Sequence, residues 1–382
     1  MPQVKPEVET FARIKVVGGG GSGKNALNHM INSKVRGVEF IAINTDAQDL
    51  HHTLAKKKVH IGKNLTRGLG TGMNVELGRR AAEETKEEIQ EALKGADMVF
   101  IAGGEGGGTF TGIAPIIAQI AKDLGALTVA VATKPFFFEG IQRMRLAEQG
   151  LDELKKHVDA IIIIPNDRLL NTISKDTTAK AAFEMCDDVL KQAVEGISDL
   201  ITTPGFINID FADIRTILES AGSALMGIGT ASGEKRAEEA AKMAINSPLL
   251  ELSINGAKGV LFSIAGGDDL TMFEIQDAAK IITESADPNA KIIFGTVRND
   301  SLKKGDVKIT VIASGFASNG APKKTLFQLD HDKEDRKKIF NSMPTIGKDS
   351  KAPAAEKKTE PVADNDDDWG AVPAFLRRSK LK

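Results

Sequence analysis

The sequence predicts an α/β protein: a parallel-sheet domain, a long central helix, a smaller α+β domain and a polar C-terminal stretch. Three observations predict it. Short apolar runs alternate with helical ones from Arg13 to about Thr178, the pattern of a parallel sheet with right-handed crossovers. Between 178 and 202, Phe183, Cys186, Leu190, Val194, Ile197 and Ile201 recur at three- and four-residue steps, which marks one amphipathic helix. From Ala317 to about Asp366 large apolar groups are few and Lys, Asp, Glu, Ser and Pro dominate, so that segment cannot build a core.

The elements follow in chain order. Residues 1–11 are polar, contain Pro2 and Pro6, and read as a loose arm. The first domain covers 12–178, with strands at 14–18, 39–44, 98–103, 127–133 and 160–165. Several of these runs are apolar throughout, as strands buried on both faces are. The stretch 75–95 reads as one helix. The central helix covers 179–204. The second domain, 205–317, mixes helices at 233–247 and 272–286 with strands near 258–265, 291–298 and 307–316. A sheet with helices on one face is its simplest form. Residues 318–364 read as a disordered linker and 365–382 as an apolar-containing terminal peptide.

Composition narrows the function. The chain has 382 residues, 41% of them hydrophobic, and a net charge of −2. So balanced a charge does not point to nucleic acid. Cys186 is the single cysteine, so no internal disulfide forms. The adjacent His51 and His52 lack metal-ligand spacing on one helix face, and no metal site is expected. No apolar run approaches the roughly 20 residues a membrane helix needs. The start, MPQVKPEVET, lacks a signal-peptide core. A soluble cytoplasmic protein is expected.

Two glycine loops invite phosphate. GGGGSGKN (18–25) follows a strand and precedes a helix. Bare glycines let backbone amides approach an anion, and the helix start adds partial positive charge. The loop fits two templates. Gly18, Gly20 and Gly23, with Asp46 downstream, fit a dinucleotide fingerprint. Gly18, Gly23 and Lys24 fit an NTPase phosphate loop, although Asn25 replaces its hydroxyl residue. A glycine turn that merely packs helix on strand is a third reading. The second loop, GGEGGGTFTG (103–112), also links a strand to a helix. Two such loops at strand ends of one sheet can face one crevice. Neither template requires the second.

GGGTFTG (106–112) resembles the GGGTGTG signature of the tubulin superfamily, and the rest resembles its FtsZ family of bacterial cell-division GTPases. The likeness runs through NTDAQDL (44–50), LTRGLGTGMNVELGRRAAEE (65–84), TKPFFFEG (133–140), IPNDRLL (164–170), GISDLITTPGFINIDFADIRTIL (196–218) and GSALMGIGTASGE (222–234). It implies GTP/GDP with Mg2+. The phosphates would lie among Gly20, Gly21, Ser22, Gly23, Lys24, Asn25, Gly107, Gly108, Thr109, Phe110 and Thr111. Asn44, Thr45 and Asp46 would line the nucleotide, and Gly70, Thr71 and Gly72 would lie near its terminal phosphate. Glu139 and Arg143 match residues that contact ribose and phosphate. Asn166 and Asp187 match the guanine readers; a carboxylate accepts from guanine N1–H and N2–H₂ and so rejects adenine.

The resemblance also assigns catalysis to Asn208, Asp210 and Asp213. In the family that segment reaches the nucleotide pocket of the next subunit, and the aspartates polarise the attacking water. A head-to-tail contact that does not close yields a filament. Without the resemblance, Asp210 reads as the cap of the helix that follows it; the two roles are compatible. At the far end, a linker of about 50 residues would span roughly 40 Å as a coil. Asp367, Asp368, Trp369, Pro373, Phe375, Leu376, Arg377 and Arg378 resemble the family's terminal peptide. That peptide holds membrane-tethering and regulatory division proteins, without inserting into the membrane itself.

The expectation is therefore a GTP-hydrolysing protein that polymerises into the mid-cell division ring, on the inner face of the membrane. Two alternatives stay open: an NAD-dependent enzyme built on the first loop, and a division scaffold with impaired GTP binding. The second draws on Phe110, where the family has glycine. Two outcomes are open: the ring points away from the nucleotide and the cradle survives on its backbone amides, or it intrudes on the phosphates and weakens GTP binding. Intrusion is the outcome favoured, because such a loop often needs a left-handed backbone or close backbone approach. Glu105 would add negative charge beside the phosphates. On that basis Phe110→Gly would tighten GTP about tenfold.

Overall fold

The computed structural model describes residues 12–170, 176–203, 205–247, 254, 256–299 and 302–316. The arm, the linker and the terminal peptide, with every residue assigned to the last, lie outside them. Ten strands are present among the described residues: β1 (Ile14–Gly19), β2 (Val38–Asn44), β3 (Lys57–His60), β4 (Met98–Gly104), β5 (Leu127–Lys134), β6 (Ala160–Pro165), β7 (Gly222–Ser232), β8 (Gly259–Gly266), β9 (Lys291–Arg298) and β10 (Asp306–Ser314). They form one sheet in the order β3-β2-β1-β4-β5-β6-β7-β10-β8-β9.

The helices in the first half are α1 (Gly20–Asn32), α2 (Ala47–His51), α3 (Lys63–Thr66), α4 (Val75–Glu84), α5 (Lys86–Leu93), α6 (Gly108–Asp123), α7 (Ile141–Leu154) and α8 (Asn166–Leu170). After them come α9 (Ala179–Thr202), α10 (Phe211–Leu218), α11 (Arg236–Ile245) and α12 (Met272–Glu284). Strands β1 to β6 are all parallel to their neighbours. β7 joins the halves: Gly222–Ala224 pair with β6, and Leu225–Ser232 pair antiparallel with β10.

The parallel strands are buried on both faces because successive side chains alternate. Val16 and Phe100 pack in one cluster with Leu190, Val194 and Ile197 of α9. Their neighbours Val17 and Ile101 pack in the other with Ala81 of α4 and Ile113 and Ile117 of α6. Within the second half, Phe262 joins α11 and α12, while Leu261 joins α9 and α10. The expected one-sided sheet is therefore covered on both faces. The long central helix supplies the second cover, because its own apolar stripe is wide enough to serve both halves.

Two local expectations are corrected. The helix expected over 75–95 is two helices, broken at Thr85. The Thr85 hydroxyl donates to Ala81 O and accepts from Gly62 N, an anchoring that draws the backbone out of helical geometry. Strand β7 was not expected, because its glycines weaken the strand pattern. Gly227 and Gly229 are needed there: a Cβ at either would lie 1.9 Å or 2.0 Å from a carbonyl of α11. Among the described residues no helix is long and apolar enough to cross a membrane.

Candidate functional site

The strand order reverses between β1 and β4, which are neighbours. Chain leaving the C-terminal ends of such a pair diverges and opens a crevice, the usual ligand position in parallel sheets. Both glycine loops arise there: β1 runs into α1 and β4 into α6. The two helix starts touch. A Cβ on Gly20 would lie 3.4 Å from both Phe110 N and Thr109 Cβ. Both helices have glycine at the N-cap, Gly19 and Gly107. Neither has a side-chain cap, and neither has an acidic residue in its first turn. Free amide donors and two helix dipoles thus converge on one point, an arrangement suited to a polyphosphate. Gly107 has open space above it, as do Gly70 and Gly72.

Side chains brace this cradle. Ser22 Oγ accepts from Gly104 N at 2.6 Å, tying the first loop to the end of β4. The Thr109 hydroxyl meets those of Thr45 at 3.1 Å and Thr71 at 3.3 Å. Asn44 Nδ2 donates to Asp49 Oδ2 at 2.7 Å, and Lys24 Nζ lies 2.6 Å from Asp49 Oδ1. Lys24 is thus neutralised by Asp49 rather than held free over the loop. Asp46 caps α2 through Asp49 N. Asn74 caps α4, the helix that follows the 70–72 loop.

The glycines of the second loop divide their work. A Cβ on Gly108 would meet Thr71 Oγ1 at 2.3 Å and Asn74 N at 2.6 Å. Gly108 therefore lets the 71–74 loop close on α6. Thr111 is buried and its hydroxyl accepts from Gly106 N at 2.9 Å. It shapes the loop from behind and does not face the cradle.

The Phe110 expectation is corrected outright. Phe110 is a right-handed helical residue of α6 and is absent from the positive-φ residues. Its ring is 2% exposed and points into the core beneath the loops. It occupies the gap between two glycines. A Cβ on Gly103 would lie 2.3 Å from the ring and one on Gly19 2.7 Å. Bare backbone on β1 and β4 makes room for the ring, so it does not enter the crevice.

A cavity of about 120 Å³ adjoins the cradle, lined by Ser22, Asn25, Glu139, Arg143, Asn166 and Asp187 among others. Six residues expected from distant parts of the chain thus share one wall. Asn166, at the start of α8, is buried and its Oδ1 has no partner, an acceptor suited to a base N–H. Asp187 on α9 is half-buried; burial pushes its carboxyl up to about 6, with His29 and Lys24 drawing it down and Glu184 adding to the rise. Arg143 Nη1 pairs with Glu139 Oε2 at 3.1 Å, and Glu139 Oε1 accepts from Phe136 N at 2.9 Å. Two pocket features were not anticipated. Phe183 lines the cavity one turn before Asp187; its four-residue spacing from Asp187 was the available signal. Asp49, inside the quoted NTDAQDL, organises Lys24 and Asn44.

The remaining expected residues lie elsewhere. Asn208, Asp210 and Asp213 are exposed. Asp210 caps α10 through Ala212 N at 2.9 Å, as the local reading expected, and Asn208 Oδ1 accepts from Gly205 N. α9 separates them from the cavity. Asp187 lies in its first half; from there to Thr202 the helix runs about 22 Å at 1.5 Å per residue. Its end reaches the opposite edge of the sheet: a Cβ on Gly37, just before β2, would touch Thr202. Arg215 of α10 bonds Gly125 O, just before β5. The glycine loops therefore lie at the C-terminal strand ends, and the acidic segment lies at the N-terminal ends.

The Tubulin/FtsZ family GTPase-domain model matches residues 13–174, and the FtsZ family C-terminal-domain model matches 222–317. An empty FtsZ dimer from M. jannaschii is 46% identical, with TM-score 0.77, over 80% of this chain and 89% of that one. A mutant of the same FtsZ is likewise 46% identical at TM-score 0.77, covering 81% and 92%. CetZ2 from Haloferax volcanii, solved as a GTPγS-bound protofilament, shares the fold at 21% identity and TM-score 0.66, covering 79% and 92%.

Proposed function

The chain belongs to the FtsZ family of tubulin-like GTPases, and from that membership we propose that it binds GTP with Mg2+, polymerises head to tail and hydrolyses GTP between subunits of the cell-division ring. A GTPase domain and GTP/GDP binding are family traits. The single observation that carries the shared site is the separation just described. Asp210 and Asp213 occupy the sheet edge opposite the glycine loops, so one chain cannot bring them to its own nucleotide. A second copy stacked end to end can.

In this reading the amides at the starts of α1 and α6 hold the phosphates, and Thr109 orients the loops. Mg2+, when bound, neutralises charge on the phosphates. Asn166 and Asp187 read the base while Phe183 offers a ring face to it. Asp210, with one oxygen used in the cap, and exposed Asp213 polarise water in the neighbour's pocket. Exposed apolar groups suit such stacking. Phe137, Phe138 and Ile141 follow β5 at the loop edge, and Phe206 lies beside the acidic segment. The test is GTPase activity per molecule against protein concentration, with light scattering in parallel. Activity that is constant from dilute to concentrated solution excludes a shared site.

Asp187 makes the base reading pH-dependent. Its carboxyl is raised, so it gains a proton as pH falls through about 6 and loses the charge that favours guanine N–H donors. GTP affinity should then fall by up to about tenfold per pH unit below 6, and Asp187→Asn should abolish that fall while weakening GTP throughout. Calorimetric titration at pH 5 to 7 checks it.

The terminal peptide is proposed to hold adaptor proteins at the membrane through Trp369, Phe375, Leu376, Arg377 and Arg378. Trp369 is the only tryptophan and there is no tyrosine, so tryptophan emission reports on that peptide alone. It should be solvent-exposed in the free protein and blue-shift on binding an adaptor. Blue emission from the free protein would count against a free peptide.

A further inference from the structure

One buried acid in the site has no role in the account above. Glu105 follows β4, and its amide donates to Thr133 O of β5 at 2.9 Å. Its side chain turns beneath α7. It is 2% exposed, and both carboxyl oxygens are buried without a hydrogen-bond partner. A Cβ on Gly150 of α7 would lie 2.5 Å from Glu105 Oε2 and 2.3 Å from Thr111 Cγ2. The next residue, Gly106, lies under the same helix: a Cβ there would be 2.6 Å from Arg143 O. The signature loop is thus seated along two turns of α7, from Arg143 to Gly150. Glu105 fills the seat.

We propose that Glu105 is a positioning residue for the nucleotide: in its neutral form it keeps the signature loop seated under α7, and its ionisation unseats that loop and weakens nucleotide binding. The proposal rests on reading the cavity as the nucleotide site. A carboxylate in this seat would be charged and desolvated with only the Thr111 hydroxyl acting in its favour, which is more costly than a neutral acid. Burial lifts the carboxyl to about 7, and the Thr111 hydroxyl acts against that rise. The groups around the seat do not supply a free cation. α6 and β5 bring the hydroxyls of Thr111 and Thr133. α7 brings Arg143, whose Nη1 is already paired with Glu139. Across the cavity α9 brings the carboxyl of Asp187, and in the groove beyond Gly150 Arg79 of α4 is paired with Glu83. A bound nucleotide adds negative charge to this surrounding and favours the neutral acid further.

The sign follows from linkage. The seated loop binds a proton that the released loop gives up, so this contribution to affinity is lost as pH rises through about 7, by up to tenfold per pH unit. It is superimposed on the separate fall below 6 that Asp187 produces. The experiment is titration of the full chain with GDP in magnesium buffer at pH 6.5 and 8.5, for the unmodified protein and Glu105→Gln. The unmodified protein should lose about tenfold in affinity at the higher pH, while Glu105→Gln, which stays neutral, should lose less than twofold. Ionisation of GDP itself is common to both proteins and cancels. A merely structural role would weaken the variant equally at both pH values.

If Glu105→Gln does not fold, the unmodified protein still decides. Calorimetry at pH 7.5 in two buffers of different ionisation enthalpy should show net proton uptake on GDP binding. Net release, equal pH profiles for the two proteins, or affinity that rises through pH 7 because an ionised Glu105 pairs with the free Nε of Arg143 would each overturn the proposal. All three leave nucleotide binding intact. GDP that binds at neither pH overturns the nucleotide reading, and this proposal with it.

Discussion

Phe110→Gly is expected to destabilise the protein by about 3–5 kcal/mol, the cost of removing a buried aromatic ring, and not to tighten nucleotide binding. Glycine inside α6 adds about 1 kcal/mol. The ring touches the backbone at Gly19 and Gly103, the last stretches of β1 and β4 before the two glycine loops. Its loss therefore loosens both loops, and GTP affinity should fall with stability. The matching change is Gly103→Ala. A methyl there would meet the ring at 2.3 Å, an overpacking that costs roughly 1–3 kcal/mol. The two changes occupy the same space, so their costs should not add. The double variant should be more stable than the sum of the singles by at least about 1 kcal/mol. Urea midpoints at unchanged slope measure all three. A Phe110→Gly protein within about 0.5 kcal/mol of the parent would show that the ring is not packed as described.

Asp213→Ala should retain GTP binding and lose about 10²-fold or more in turnover, the usual scale for groups that assist proton transfer. The residue is exposed in the first turn of α10, so truncation leaves no cavity and removes no cap. That separates it from Asp210, whose oxygen accepts from Ala212 N; Asp210→Ala should lose turnover and also about 1 kcal/mol of stability. Mixing decides whether the site is shared. Asp213→Ala has an intact pocket, and Asp187→Ala has an intact acidic segment. An equimolar mixture should recover activity that neither shows alone, because a filament then contains some complete sites. A mixture no more active than the better single protein, under conditions where both assemble, would place pocket and acid in one chain.

The parallel half of the fold was legible because its strands and helices carry their own signals. Apolar runs such as AIIIIP read as doubly buried strands and were found at 160–165. The capping role of Asp210 was legible for the same reason, since a cap needs only the next three residues. The break at Thr85 was not, because its cause is a hydrogen bond to Gly62, twenty-three residues earlier. β7 was obscured by glycines whose purpose, contact with α11, exists only once that helix is docked.

The loops themselves were determined by sequence: glycines after a strand and before a helix leave amides bare wherever the chain goes. The resemblance also singled out Asn166 and Asp187 as the proposed base readers, and both line the cavity beside the loops. The sequence could not decide which way a side chain turns. Phe110 reads as an intruder in a glycine loop, yet its neighbours across the sheet, Gly19 and Gly103, open a core pocket that takes the ring. Glu105 reads as a charge beside the phosphates, yet α7 covers it and burial favours the neutral acid. Both outcomes depend on which backbone lies opposite, a long-range property: the strand order that sets β1 against β4, and the helix packing that sets Gly150 over the loop, are fixed only when the sheet assembles.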